Sequence, residues 1–558
     1  MTDAKSGREG DWDVIVVGSG LGGLAAAAYL SALGRRTLVL EAHYVAGGNS
    51  QVFRRTRKGH AYEFDVGIHY IGECGRDGLI TRILNGLGLA ERVVFRPLDP
   101  DGYSTLVFPD LTFRIPSDWK RYRERLCETF PDEVQGLSPV LDVMRDVSQE
   151  GNRLRRGEFQ MSELAVQAPA FMKWGLRPVT DLFAEHRLSQ RAQAVLLGEQ
   201  GCYAVRPSKT PVITAAGLSD HFLRGAFYPE GGGQVIAGRL IQAIRAYGGR
   251  VQTRSRVERI RIENGRAVGV DVRRKGGRIE AIEAPVVVSN ADLKRTFREL
   301  VGEEHLDPDT VEHIRSLRMS IPLFCVYLGV EADYAALGFG NTNHFIWGTH
   351  DLEGIYDELE SGRTSSDAMA YVTMASLKDP VSRHLAPEGY TNLQIMTLVP
   401  RDYGVWGVER GPAEGGRYHR DPEYRRRKNA LMDQLIETAE RILPGLRERI
   451  DWKEAATPVS QERFTRSSGG TSYGIELSID QSGPMRPGPR TGIPGLFLCG
   501  ASTPSGPGIA GVLRSGVATA GEVLETDLLK PVLAGEVYGD RALLPELRED
   551  WDAWRESL

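Results

Sequence analysis

The feature that most constrains this chain lies at its start, where Asp13-Val-Ile-Val-Val17 runs directly into Gly18-Ser19-Gly20-Leu21-Gly22-Gly23. A short, β-branched apolar run of this kind reads as a buried parallel strand. The Ala- and Leu-rich stretch Leu24 to Leu33 closes on Gly34 and reads as a helix with a C-terminal glycine. A second apolar strand, Thr37 to Leu40, ends on Glu41, 23 residues after Gly18. The residue types match distinct tasks: Gly18 permits a tight turn, Gly20 lets backbone approach a pyrophosphate, and Gly23 lets helix pack on strand. The helix N-terminus offers free N–H groups and a partial positive charge to that pyrophosphate. A glycine-rich turn alone says little. Strand, glycines, helix, second strand and terminal acid in order make a dinucleotide-binding βαβ unit. Glu41 suits the hydroxyls of an adenosine ribose and disfavours a 2′-phosphate, which argues against NADP.

The continuation selects FAD. Glu41-Ala42 is followed by Gly47-Gly48-Asn49 and a strand from Gln51 to Arg54. This resembles the extended fingerprint of glutathione-reductase-like flavoproteins, in which a second glycine pair lies against the FAD pyrophosphate. Many such proteins carry a basic residue after the pair; here it is Asn49. The chain then returns to the same fold twice. Pro229-Glu-Gly-Gly-Gly-Gln234 precedes a helical pattern from Val235 to Tyr247. Alternating Val251, Val257, Ile260 and Ile262 meet Val268, Val270 and Val272 across Asn264-Gly265, a strong hairpin signal. Val286 to Asp292 closes this segment as strand and turn. The resemblance implies that the strand bearing Val257 offers its backbone to the adenine; the side chain reads equally well as core.

The second return is Pro494 to Gly511, with a helix from Val512 to Leu524. Gly506, Gly508 and Gly511 form another GxGxxG, but no strand ending in an acid follows. The segment therefore reads as a flavin-facing turn, with Gly500, Ala501, Gly508, Ile509 and Gly511 aiming backbone N–H groups at the ring. Negative charge developing on a reduced flavin would be stabilised by such a helix N-terminus.

From Trp12 to Asp527 the chain resembles the phytoene desaturase, carotenoid isomerase and retinol saturase group of FAD oxidoreductases. Three stretches carry the likeness: Phe64-Asp-Val-Gly-Ile-His-Tyr-Ile-Gly72, Ala456-Thr-Pro-Val-Ser460 with Gly470-Thr-Ser-Tyr-Gly474, and Gly500 to Gly511. The last departs from the bacterial desaturase ending, with Pro504-Ser505 where His-Pro is usual. The resemblance implies an α/β fold: a glutathione-reductase-like, Rossmann-type FAD-binding domain with an inserted mixed α+β substrate domain. The FAD-binding parts fall at 1–99, 226–299 and 481–527, the substrate parts at 100–225 and 300–480, and 528–558 is an unassigned extension. It places Gly67 and Ile68 beneath the isoalloxazine. His69 and Tyr70 become the catalytic candidates, His69 to move the proton that accompanies hydride transfer or simply to pack on the ring. His43 and Cys74 lie near cofactor segments without a sign of a covalent flavin link. His344, Phe345 and Trp347 read as a pocket wall or a buried strand.

The activity implied is redox chemistry at a carbon–carbon double bond of an apolar polyene or isoprenoid, with hydride transfer at flavin N5. Saturation is favoured, with His69 as proton donor. Amine oxidation shares both glycine signatures and is one alternative. A non-catalytic prenyl-binding protein of the same fold is another, against which the intact glycines and Glu41 argue.

Composition bounds the rest. Net charge is −5, from 69 Lys and Arg against 74 Asp and Glu, which gives no footprint for nucleic acid. Five scattered cysteines read as reduced thiols of a cytoplasmic protein, and no spacing suggests a metal site. Met1 to Trp12 is polar, without a signal-peptide core. No apolar run reaches bilayer-spanning length. Ala165 to Leu176 mixes Phe171, Met172 and Trp174 with Lys173 and predicts peripheral membrane contact. Helices are expected over Trp119–Phe130, Val179–Leu197 and Pro422–Leu443, and strands over Leu323–Val330, Met369–Thr373 and Leu393–Leu398.

Overall fold

The computed structural model describes residues 12–558. The polar start that argues against a signal peptide falls, apart from Trp12, outside the described residues. Val14–Val17 is the middle strand of a five-stranded parallel sheet in the order Leu496–Leu498, Val286–Ser289, Val14–Val17, Thr37–Leu40, Arg250–Gln252. Its two faces have different partners, as the two-residue period of a strand requires. Val14 and Val16 pack with Leu24, Ala27 and Ala28 of the helix Leu21–Ala32. Ile15 and Val17 pack with Val257, Ile260, Val270 and Val272 of a three-stranded antiparallel sheet laid across the other face. Burial on both faces explains why the strand is a continuous apolar run. The hairpin turns at Asn264-Gly265, both with positive φ, as that dipeptide predicts.

A second, seven-stranded mixed sheet runs in the order Ile450–Ala456, Leu323–Val330, Thr391–Leu398, Ala370–Thr373, Asn343–Ile346, Ser104–Val107, Thr112–Ile115. It joins strands from residues 100–225 to strands from 300–480 through the parallel pair Ser104–Val107 and Asn343–Ile346. The helix Pro422–Ala439 covers one face. It stops short of Leu443, because the Pro444 ring would clash with the carbonyl four residues earlier.

Two other expectations change. Val179–Leu197 is two helices, Val179–Glu185 and Gln190–Leu196. Arg187 breaks the run with φ 55°, and Ser189 caps the second helix through Ala192 N. Ala165–Leu176 falls across two short helices, Leu164–Gln167 and Pro169–Trp174, since the residue before a proline is disfavoured in helical conformation. The last flavin-segment helix starts three residues earlier than expected, at Ile509.

The extension 528–558 folds back on the nucleotide-binding sheet's helical face. Arg54 takes Asp552 in a bidentate pair at 2.7 and 2.9 Å, and Arg239 stacks on Trp551 at 3.5 Å. Ser557 O accepts from Ala46 N at 2.8 Å, immediately beside Gly47. Among the described residues no helix is long and apolar enough to cross a membrane.

Candidate flavin and substrate site

One cavity of about 1130 Å³ runs from Glu41 past the glycine turns and Gly67–Tyr70 to the helices that carry Leu154, Leu164 and Phe171. At its adenosine end Glu41 Oε2 accepts from Ser19 N at 2.9 Å and Ser19 Oγ at 2.6 Å, and Oε1 accepts from His43 N at 2.7 Å. These bonds hold the carboxylate at the lip of the first strand pair. Ala42 and Gly47 also line this end.

The glycines are close-packed for separate reasons. Gly18 sits at φ 94°, where only glycine is comfortable. A Cβ on Gly23 would overlap Gly18 O, and one on Gly48 would lie 2.9 Å from Gly20 Cα. The helix after Gly20 has no side-chain cap, so the N–H groups of Leu21 and Gly22 are free to bind an anion. Asn49 does not point at this site: its Nδ2 donates to Ser472 O at 3.3 Å, and its Oδ1 accepts from Gln461 at 2.7 Å. It ties the turn to the far end of the chain. Val257 packs in the core and also lines the cavity.

The segment Asp65–Gly72 is clamped along its length. Gly233 N donates to Asp65 Oδ1 at 2.8 Å, and Tyr228 donates to Oδ2. Burial pushes the Asp65 carboxyl up to about 7 against those bonds. Ile71 pairs with Phe227 through both backbone groups, and Gly72 N donates to His221 Nε2 at 2.8 Å. Gly67 passes so near Asn49 that a Cβ would lie 3.0 Å from its carbonyl. Ile68 is buried against Gly233.

His69 lies on the cavity wall, edge-on to Tyr371 at 5.6 Å. Its carbonyl accepts from Lys378 Nζ at 2.6 Å. Burial, helped by the Lys378 charge, pushes the imidazole down to about 3, so the ring is neutral at neutral pH. A neutral ring keeps one N–H donor and one acceptor nitrogen, so His69 reaches the cavity without a charge. Tyr70 stacks on Phe222 at 4.0 Å and gives its hydroxyl to Glu199 at 2.7 Å. Tyr103 and Ser104 complete a buried set of donors to that carboxyl, at 3.0 and 2.7 Å. The Tyr70 proton is thus committed away from the cavity, and its ring serves as wall.

The last segment closes the cavity from the other side. Gly500 turns at φ 100°, its N–H donating to Ser515 Oγ at 3.0 Å. Ala501, Gly508, Ile509 and Gly511 line the cavity, and the helix Ile509–Leu524 begins without a side-chain cap or an acidic residue in its first turn. Arg486 holds the turn by donating to the carbonyls of Ile475, Glu476, Gln481, Ala501 and Thr503.

Local reasoning missed three residues here. Asn290 stands where the returns meet: a Cβ on Gly20 would lie 2.7 Å from its Nδ2, and ones on Gly22 and Gly500 2.9 and 2.8 Å from its Oδ1. It follows the C-terminal end of a parallel strand, where such sheets bind ligands, so its place was readable. Lys378 and Glu199 carry no such signal. His344, Phe345 and Trp347 are not cavity wall; Phe345 stacks on Tyr371 at 4.3 Å within the core, and Trp347 donates to Gly198 O at 3.0 Å. His43 lines the adenosine end, and Cys74 is buried with Sγ 3.3 Å from Gly72 O. Among the described residues no group of three or more His, Cys, Asp or Glu could hold a metal.

Two uncapped helix N-termini, a glycine cradle that any Cβ would fill, and a carboxylate at the ribose position fit one extended dinucleotide. The sequence profile of the flavin containing amine oxidoreductases matches residues 21–524. The chain belongs to that family. Its cofactor is FAD, and it is a flavin-dependent oxidoreductase. Among curated relatives, all-trans-retinol 13,14-reductase of Danio rerio is 27% identical over 553 residues, covering 92% of this chain and 86% of that protein. The chloroplastic prolycopene isomerase of Daucus carota is 28% identical over 538 residues, covering 93% and 80%. An oxidoreductase structure from Methanosarcina mazei superposes with TM-score 0.58 at 19% identity, covering 92% of this chain and all of that one. Putrescine oxidase bound to putrescine superposes with TM-score 0.57 at 15% identity, covering 92% and 99%.

Proposed function

We propose that this flavoprotein acts on a carbon–carbon double bond of an apolar polyene or isoprenoid. The observation that carries the reading is the continuity of the flavin site with an apolar chamber walled by Leu154, Leu164, Phe171, Ile213, Leu218 and Tyr473. The named chemistry of the retinol reductase and prolycopene isomerase relatives supports it. FAD bound in the cavity supplies N5 as hydride donor or acceptor. The chain's own part is to hold and exclude. Asp65, Tyr228 and Lys378 fix the Gly67–Tyr70 segment, the apolar wall keeps water away, and neutral His69 receives or relays a proton at its ring nitrogen.

Reduction of the double bond is the first reading, because relatives carry that name. The alternative is the opposite direction, in which the substrate loses a proton and a hydride; an imidazole that burial holds at about 3 is neutral and a weak base, and favours neither. Anaerobic incubation of photoreduced enzyme with candidate polyenes, followed by flavin absorbance and product mass, decides between them. A gain of two hydrogens supports saturation, and unchanged mass with altered geometry supports isomerisation. Polyene-driven bleaching of oxidised enzyme supports dehydrogenation. Turnover of putrescine with peroxide release, and none of polyenes, would return the site to amine oxidation.

We also propose peripheral membrane contact at the chamber mouth. Met161, Val166 and Met172 are exposed there, Met161 and Met172 line the cavity, and Lys173 stands beside them. Flotation with liposomes at low salt tests it, and a protein that stays in the dense fraction refutes it.

A further inference from the structure

The cavity wall carries arginines whose charges are nearly all accounted for. Arg82 pairs with Asp77, Arg156 with Glu158, and Arg224 with Glu73 and Asp220. Arg256 pairs with Glu258, Arg295 with Glu299 and Glu462, and Arg466 with Glu299. Arg486 spends its donors on five carbonyls. Arg155 and Arg514 stand apart. Arg514 makes one bond, to Arg155 O at 2.8 Å, and Arg155 makes one, to Asn152 Oδ1. Neither has a carboxylate within ion-pair distance among the described residues. A guanidinium has five N–H donors, so most of theirs are unspent and open to the cavity.

Arg155 is exposed and Arg514 half-buried where they line the cavity, so their unspent donors are accessible to a ligand that enters it. Burial, and for Arg514 the neighbouring Arg155 charge, pulls both guanidinium pKa values down, Arg514 to about 10. Glu73 and Asp220 lie near enough to oppose this at Arg155 but are held by Arg224.

The FAD pyrophosphate is not the partner these arginines face. On the helix Ile509–Leu524, Val512 and Gly516 form the side against Gly22. Arg514 lies midway between them in sequence and hence on the opposite side, with Ala510, toward the helix Val134–Arg155. On that helix Gly151, one turn before Arg155, sits against Phe171 and Ile213 of the apolar wall. The pair therefore stands beside the substrate chamber.

We propose that Arg155 and Arg514 bind the anionic head, a carboxylate or phosphate monoester, of an otherwise apolar chain held in the chamber. Planar guanidinium forks match such oxyanions two bonds at a time. The proposal rests on the polyene reading for the tail and adds the head.

The test uses FAD-loaded enzyme with palmitate and hexadecanol as non-reacting probes below their aggregation limits, binding being read by calorimetry. Palmitate should bind about tenfold or more tighter than hexadecanol. Arg155→Gln and Arg514→Gln should each remove most of that preference, leave hexadecanol affinity unchanged and retain bound FAD. Arg514→Lys should keep part of it. Equal affinities in the parent enzyme, no binding of either probe, or an unchanged preference in both Gln variants would overturn the proposal. So would variants that lose flotation with phosphatidylglycerol vesicles while keeping palmitate affinity, which would make the pair a bilayer contact. A palmitate preference without turnover of any polyene would leave the anion site standing and remove the polyene reading.

Discussion

Lys378→Met separates charge from contact beneath the flavin-facing segment. Lys378 is buried, with Nζ 2.6 Å from His69 O and 2.5 Å from both Asn343 Oδ1 and Thr373 Oγ1. Burial lowers its pKa from 10.5 to about 7, against the attraction of Asp65. Between those values the unfolded chain binds the proton and the folded chain does not, so stability rises with pH across that window. At 1.36 kcal/mol per pH unit the full rise is roughly 5 kcal/mol, and the penalty is complete below about pH 7. Asp65 has the opposite sign: its folded value of about 7 lies above 3.8, so its contribution is present below 3.8 and gone above about 7. Methionine is similar in size and carries no charge. It removes the alkaline rise and orphans His69 O, a pH-independent loss of about 1–3 kcal/mol. The variant should match or exceed the parent in thermal stability near pH 6.5 and fall below it near pH 10. The assay is thermal unfolding read by released flavin fluorescence across that range. Parallel curves for parent and variant would refute the reasoning.

Gly20→Val should yield colourless protein, because its Cβ starts 2.7 Å from Asn290 Nδ2 and its methyls fill the pyrophosphate approach; retained FAD absorbance would argue against that cradle. His69→Ala should slow the proton-coupled step by about 10²-fold with FAD content unchanged, and an unaltered rate would leave His69 a packing residue. Tyr70→Phe should cost about 1 kcal/mol of stability by removing one of three donors to Glu199, while kcat changes little; a large kcat loss at full FAD loading would restore Tyr70 as a proton carrier.

The nucleotide end was legible because its information is local. Gly18, Gly20, Gly23 and Glu41 lie within one βαβ unit; Gly18 answers a φ and Gly23 a clash that strand, turn and helix impose on one another, while the contact of Gly20 comes from Asn290 on a later return. The hairpin at Asn264-Gly265 was legible for the same reason, since left-handed φ at two successive residues names the turn. Helix ends were read less well where a single residue broke the pattern, as Arg187 does between two helices.

The chemistry of the site depended on distance instead. His69 reads in sequence as a histidine able to carry a charge; burial and a lysine 309 residues away make it neutral. Tyr70 offers a phenol that Glu199, 129 residues on, engages by accepting its hydrogen bond. Asn49 stands where a basic residue is common, yet a partner 412 residues distant turns it into a tie between segments. The tail had no motif at all, and contacts across the fold show what it holds: the ion pair from Asp552 to Arg54, 498 residues back, the stacking of Trp551 on Arg239, and Ser557 O on Ala46 N. Sequence pattern records the sterics of neighbouring residues, so it determined the cofactor cradle. Desolvation and Coulomb energy depend on what the whole fold brings near a group, so only the tertiary structure decided which side chains are charged, which are spent, and which two arginines are left facing the chamber.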